Sequence, residues 1–413
     1  MAAPSLQGTH LKVLAFQGPG THVAFTIQLL TEWAQHNGVT LTTVTVPYSA
    51  LLDKIMATII ADDRSIDAFY VDSGFVPFVH RGLAPIDQYL PEAREPVSHI
   101  SSHLLDLYSI KGVHYCIPHE SDTPLMIYRQ DLFDSPVERA EFRAKFNKDL
   151  RPPQTFDELL QTAQFFTRKS GEKLAGQPVA NDFYGLALSG KPYISTSRQW
   201  EMFLYGFGGR VLDEKYRPVF NNAAGQKATA FYTDLAVKYG VVPPGMAIVD
   251  APGVDTLLNR GAAAMAPIYP SGIPYQPAPG IRFNGVAWYS ATEKGWGICG
   301  HRVSRNLPAV WEAVKFLNQR ETQLRFGLMG AEPTRDDVLT NPSLVERRPL
   351  LAALVEVHKR SRPQIQIPEM TYIWNTESQP ISEIVAQHVS VKDALDKTAQ
   401  NITNFMKQAG YYN

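Results

Sequence analysis

The sequence predicts an α/β protein, and three observations predict it. Short apolar or β-branched runs alternate with amphipathic helical runs between residues 11 and 71. The chain has 413 residues and is 44% hydrophobic, enough for one or two domains with substantial cores. Its later part is mostly helical, with caps and proline breaks at readable places.

Residues 11–16 (LKVLAF) read as the first strand, ended by the break Gln17-Gly18-Pro19-Gly20. A helix carrying Phe25, Leu29, Leu30 and Trp33 follows. Residues 41–46 (LTTVTV) are rich in β-branched side chains, as strands are. Residues 51–60 return to a helix, and residues 66–71 form a third strand that ends on Asp72-Ser73-Gly74. Strand–helix–strand at this spacing implies right-handed parallel crossovers, and ligands of such sheets sit beyond the carboxyl ends of the strands. Gln17, Tyr48 and Asp72 fall at or near those ends.

Further along, Thr155 with Glu158 three residues later is a capping-box pattern opening a helix over 155–167. Helices are also expected at 224–239, 350–359 and 391–408. The last carries Val391, Leu395, Ile402, Phe405 and Met406 at the spacing of one buried face. Residues 361–380 hold prolines together with Tyr372 and Trp374, and are expected to form a loop crossing a surface.

Composition and motifs exclude several classes. The formal net charge is −1 and the 39 basic residues are dispersed, which argues against nucleic-acid binding and a basic membrane patch. No stretch approaches the ~18 apolar residues needed to span a bilayer, so membrane insertion is not expected. The start, Met1-Ala2-Ala3-Pro4-Ser5, lacks a basic region followed by an apolar run. It reads either as a cytoplasmic start or as a mature chain whose signal peptide was replaced by one Met. Cys116 and Cys299 are too few for a disulfide scaffold and lack metal spacing, so free buried thiols are the expectation from count alone. Neither a phosphate-cradling nor a nucleophile-elbow motif is present, and no cofactor or metal is expected. Asp72-Ser73-Gly74 resembles the aspartic protease triplet, but that chemistry needs a second such carboxylate and none is present. His99 and His103 stand four apart and could share a metal on a helix, although a solvated pair is the expectation. The 18 Tyr and 6 Trp permit a ring-lined cleft, since flat sugar faces stack on aromatics.

Residues 295–335 read GWGICGHRVSRNLPAVWEAVKFLNQRETQLRFGLMGAEPTR. A Gly-rich strand leads through Ser304, Arg305 and Asn306 into a helix with Ala309, Ala313, Phe316 and Leu317 on one face; a second helix begins near Glu321. Blocks at 83–90 (LAPIDQYL), 111–133, 152–159 (PPQTFDEL), 260–266 (RGAAAMA) and 390–412 accompany it. In order and spacing they resemble family 1 extracellular solute-binding proteins, the sugar-binding subunits of bacterial ABC importers. The resemblance implies a two-lobed periplasmic-binding-protein fold, type II and maltose-binding-protein-like, with hinge strands and a ligand cleft between the lobes. The N-terminal lobe would hold residues 1–120 and 295–332, the C-terminal lobe 121–294 and 333–413. Strands at 114–119 and 295–300 would lie side by side and bring Cys116 and Cys299 near each other; a bridge needs a Cα separation under ~7 Å.

The resemblance also implies a ligand set. Asp72 matches a carboxylate that follows the third strand, and Asp122, with Thr123 beside it, one that follows the first hinge strand. Gln17, Tyr48, Trp200, Tyr269 (where the family usually has Trp) and Trp296 match hydrogen-bonding or ring positions. Arg335 matches the family's PTR, and its fork suits vicinal hydroxyls or an anion. A helix cap, core packing or a structural salt bridge are the plain alternatives for these residues. With His119 and Arg198 nearby, an anionic or derivatised sugar stays open. The implied protein is a periplasmic or extracellular monomer, not an enzyme. It captures a mono- to oligosaccharide or glycoside by lobe closure and delivers it to an ABC importer permease. Two alternatives remain: a non-sugar solute such as a polyamine or an opine-like conjugate, and a glycosidase using Asp72 and Asp122.

Overall fold

The structure, a computed structural model, describes residues 6–18, 21–273, 277–288 and 292–412. The start Met1–Ser5 and the Pro19-Gly20 part of the first break lie outside the described residues. In chain order, β1 (His10–Phe16), α1 (His22–His36), β2 (Thr40–Val46), α2 (Tyr48–Ile60) and β3 (Ala68–Asp72) reproduce the expected alternation. Then come β4 (Pro118–Ser121), β5 (Leu125–Arg129), α3 (Phe156–Phe166), β6 (Tyr184–Leu186), α4 (Ile194–Gly206), α5 (Ala223–Val237), α6 (Ala251–Asn259), β7 (Ala263–Ile268) and β8 (Phe283–Val286). The chain continues with β9 (Gly295–Gly300), α7 (Leu307–Leu317), α8 (Arg320–Met329), α9 (Ala353–Arg360), α10 (Met370–Glu377), α11 (Gln379–Val385) and α12 (Val391–Gln408).

These elements divide into two compact units. One comprises residues 1–123 and 293–368, the other 124–292 and 369–413. The sequence reading puts 333–368 in the second lobe; the structure assigns them to the first unit. The reason is backbone pairing at that unit's sheet edge. Pro333 bridges Glu120, Arg335 bridges Ile100, and Ser121 N–H donates to Glu332 O at 2.9 Å.

The first unit has a five-stranded sheet in the order β2-β1-β3-β9-β4. β1, β2 and β3 are parallel, and β9 runs antiparallel to β3 and β4. β3 is buried at every residue, as a central strand covered on both faces must be. α1 lays Leu29, Leu30 and Trp33 into this core, and α7 adds Val310, Trp311, Val314 and Leu317. The second unit has a four-stranded sheet, β6-β7-β5-β8, in which only β6 and β7 are parallel. The expected capping box opens α3: Thr155 Oγ1 accepts from Glu158 N–H at 3.1 Å, and Glu158 accepts from Gln154 N–H at 2.8 Å. α12 buries Leu395, Ile402 and Met406, while Val391 and Phe405 stay half-buried.

Two expectations are corrected. The stretch 361–380 is not a continuous loop, because α10 runs from Met370 to Glu377 and buries Ile373 and Trp374. Its prolines flank the helix: Pro368 precedes it, and Pro380 occupies the first turn of α11, where a missing N–H costs nothing. The two cysteines are not free thiols but form a disulfide, with Cα atoms 5.0 Å apart. The β9–β4 pairing creates this proximity by setting Gly297 opposite Pro118, two residues from each cysteine.

Candidate functional site

Parallel strands end together, so β1, β2 and β3 deliver Phe16, Val46 and Asp72 to one edge of the first unit's sheet. β9 starts at that edge, and its register puts Trp296 opposite both Asp72 and Glu120. Gly295 is required there: a Cβ would sit 2.6 Å from the Glu120 carbonyl oxygen, so any side chain would push β9 off β4.

Around Trp296 the rings form one cluster. Its ring centroid lies 5.1 Å from those of Phe16, His22 and Tyr70, and 5.9 Å from that of Tyr48. Tyr70 stacks on it at an interplanar angle of 14°. Tyr48, in the first turn of α2, is 42% exposed and stacks on Phe75, so it forms the open rim of the cluster. Gln17 is exposed beside it, its N–H held by Val46 O at 2.8 Å.

Charge sits on the same edge. Asp72 accepts from Gly74 N–H at 2.8 Å, which fixes the carboxylate at the strand end. Lys294 Nζ lies 2.7 Å from Asp122 and 3.7 Å from Asp72, and Trp296 Nε1 donates to Asp122 at 3.4 Å. One ammonium thus holds both carboxylates beside a ring. Beneath, His22 contacts Glu120, and Tyr70 Oη lies 2.6 Å from His22 Nδ1. Burial pushes His22 down to about 4 and Glu120 well above the usual carboxylate range, so it favours the uncharged form of each.

The remaining expected residues go elsewhere. Thr123 is fully buried, its hydroxyl 3.3 Å from Ser121 Oγ. Trp200 is 0% exposed in the second unit's core and donates to Thr229 at 2.9 Å, because α4 is buried on nearly every side. Arg335 is likewise 0% exposed. Its guanidinium makes five hydrogen bonds, to both oxygens of Glu95, both of Asp337 and the Asn318 carbonyl, and so has no donor left for a solute. His119 is buried, 3.0 Å from Thr26 Oγ1. His99 and His103 do not share a helix, since the short helix starts at Ser102. His99 instead neighbours Glu95 and Asp337, the carboxylates that hold Arg335.

In the second unit, Tyr269 follows β7 at the carboxyl end of the parallel β6–β7 pair. There it lines a cavity of about 70 Å³ with Ser195, Arg198, Asp255 and Ser271. Arg198 packs 3.9 Å from the Trp374 ring centroid and donates to Glu201 at 3.2 Å. Sequence reasoning missed Lys294, His22 and Asp255. Lys294 was within reach of it, being a single cation directly before the Gly295-Trp296 pair. His22 and Asp255 stand on helices without any motif.

Elsewhere, a Ser121–His358–Asp336 relay has the order of a hydrolase triad, with spacings of 3.2 and 3.0 Å. Ser121 and His358 are 0% and 4% exposed, so no substrate reaches the hydroxyl. No described helix is long and apolar enough to cross a membrane.

Comparison with known proteins gives the family and the fold. The family model "Bacterial extracellular solute-binding protein" matches residues 19–324. A probable amino-acid ABC transporter periplasmic-binding protein of Sinorhizobium fredii is 22% identical over 99% of this chain and 93% of its own length. A galactooligosaccharide-binding protein of Bacillus subtilis is 23% identical over 63% of each chain. Among solved structures, a solute-binding protein of Agrobacterium radiobacter in complex with ribitol has a TM-score of 0.76 at 20% identity, covering 97% of this chain and 100% of its own. The sugar-binding protein MalE of Xanthomonas citri has a TM-score of 0.78 at 19% identity, covering 97% and 98%. The fold is that of type II, MalE-like periplasmic binding proteins. The chain belongs to the bacterial extracellular solute-binding protein family, which places it in the periplasm or outside the cell.

Proposed function

We propose that this protein captures a sugar or polyol and delivers it to the membrane permease of an ABC importer, without chemistry on the solute. The observation that carries this reading is the edge of the first unit's sheet. There an exposed Tyr48 and the Trp296 cluster meet two carboxylates held by Lys294. A sugar presents apolar ring faces to aromatics and hydroxyls to charged acceptors, and charge-assisted hydrogen bonds are the strong ones. Gln17, Tyr48, Asp72, Asp122 and Trp296 are the contacts in the first unit, and Tyr269 in the second. The names of the galactooligosaccharide-binding and ribitol-bound relatives support the substrate class.

Asp72 and Asp122 are the only carboxylate pair proposed for a glycosidase, and one ammonium lies within ion-pair distance of both, 3.7 Å and 2.7 Å away. Hydrolysis needs one of them free to act as an acid, so binding is the better reading. A second reading, an amino-acid-type solute, is favoured by the name of the relative that matches along the whole chain. A thermal-shift screen of mono- and oligosaccharides, polyols, amino acids and polyamines separates the two. A solute that binds only the folded state adds ~2.7 kcal/mol at a hundredfold excess over Kd. A shift with sugars or polyols alone supports the proposal, and a shift with amino acids or amines alone replaces the solute.

A further inference from the structure

The cavity beside Tyr269 contains a carboxylate, Asp255. Asp255 on α6 lies against the turn after β7, where a Cβ on Gly272 would come within 2.5 Å of its Oδ1. Among the described residues no donor or cation pairs with it. Desolvation, and then the neighbouring charge of Asp250, push its carboxyl up to about 7. Asp255 is half-buried at the cavity wall, and an unpaired carboxylate there carries a desolvation cost that a bound donor would relieve. Across the same cavity lining, Ser195 Oγ is buried and has no partner among the described residues. Arg198, already paired with Glu201, supplies a cationic donor to that lining.

We propose that this cavity is a subsite for one neutral hydroxyl group of the solute, with Asp255 accepting the hydrogen bond its O–H donates and Ser195 and Arg198 donating to its oxygen. The proposal rests on the sugar-or-polyol reading above. A hydroxyl is the group that both donates and accepts, and the lining offers both partners. An ammonium would meet Arg198, and a carboxylate would meet Asp255. The cavity's size suits a single hydroxymethyl arm rather than a ring.

The charged and titratable groups that bear on Asp255 are few. Asp250 caps the same helix and is held by Lys191 at 2.9 Å. Arg198 and Glu201 stand on α4, and Tyr269 on the turn after β7. An ionised carboxylate accepts more strongly than a neutral acid. Affinity for a neutral polyol therefore strengthens as pH rises through 7.

The test is calorimetric titration and thermal shift of the full chain with ribitol, D-mannitol, maltose, D-galactose, D-glucuronate and D-glucosamine at pH 6 and pH 8.5. Wild type, Asp255→Asn and Ser195→Ala are compared. The expected result is that a neutral probe binds, and that Asp255→Asn weakens it about tenfold at pH 8.5 and by less at pH 6. Ser195→Ala should weaken it severalfold at both. Undiminished affinity in Asp255→Asn at both pH values overturns this inference and leaves the sugar reading intact. Tighter binding of D-glucosamine or D-glucuronate than of every neutral probe overturns the hydroxyl assignment. Wild type that binds no probe overturns the sugar reading and this inference with it. The melting temperature of Asp255→Asn without solute is the folding control, and it should not fall.

Discussion

Opening the Cys116–Cys299 bridge should destabilise the first unit by about 3–5 kcal/mol. The bridge joins residues 183 apart in sequence and constrains the unfolded chain. Closing a loop of that length corresponds to about 5 kcal/mol of lost chain entropy. Residues 124–292 within the loop belong to the second unit, however. If that unit stays folded while the first unfolds, only roughly 15 loop residues gain freedom, and the effect falls to about 3 kcal/mol. The assay is guanidinium unfolding of wild type refolded with and without a thiol reductant, beside a Cys116→Ala/Cys299→Ala variant. Both cysteines are at most 1% exposed, so reduction is done on the unfolded chain. The midpoint of the first unit's transition should drop, and the variant should drop slightly further for the two lost sulfur atoms in the core. A change below about 1 kcal/mol would refute the argument that this crosslink stabilises by restricting the unfolded state. A loss near 5 kcal/mol would say that the two units unfold together.

Other consequences are sharp enough to measure. Asp72→Ala should abolish solute binding in calorimetry while costing only about 1 kcal/mol of stability from the lost turn cap; unchanged affinity would remove the first unit's sheet edge as the site. Arg335→Ala should behave in the opposite way, losing about 2–3 kcal/mol because Glu95 and Asp337 lose their shared partner, with affinity unaltered. Trp200→Ala should cost about 3–5 kcal/mol in denaturant melts, again without changing affinity once refolded, since the ring fills the second unit's core. Asp255 gives a pH signature. Its folded value of about 7 stands above the 3.8 of a free aspartate, so the folded state holds the proton longer and stability falls as pH rises from about 4 to 7. Asp255→Asn should therefore gain on wild type between pH 5 and pH 8, by about 2 kcal/mol once partial exposure is allowed for. Parallel pH profiles for the two proteins would show that the carboxyl is not desolvated.

Local order determined what the sequence could tell. Short apolar and β-branched runs announced β1, β2 and β3, and the Thr155–Glu158 pair announced α3, because each signal is complete within a few residues. Strand ends in a parallel sheet fall on one edge, so Gln17, Tyr48 and Asp72 could be placed together before any coordinates. Block order and spacing carried the family. Tertiary structure decided the rest, because it depends on which distant segments pair. Backbone bonds from Pro333 and Glu332 to β4 drew 333–368 into the first unit. The register of β9 brought Cys299 to Cys116 and Trp296 to Asp72, across more than 180 residues in each case. Arg335 and Trp200 carry motif-like positions, yet a side chain's role follows from its exposure and its free donors. Glu95 and Asp337 took the first, and the core around α4 took the second. Asp255 had no sequence signal, because an acid on an amphipathic helix looks the same whether it faces water or a cavity. Only packing against the turn at Gly272 distinguishes the two.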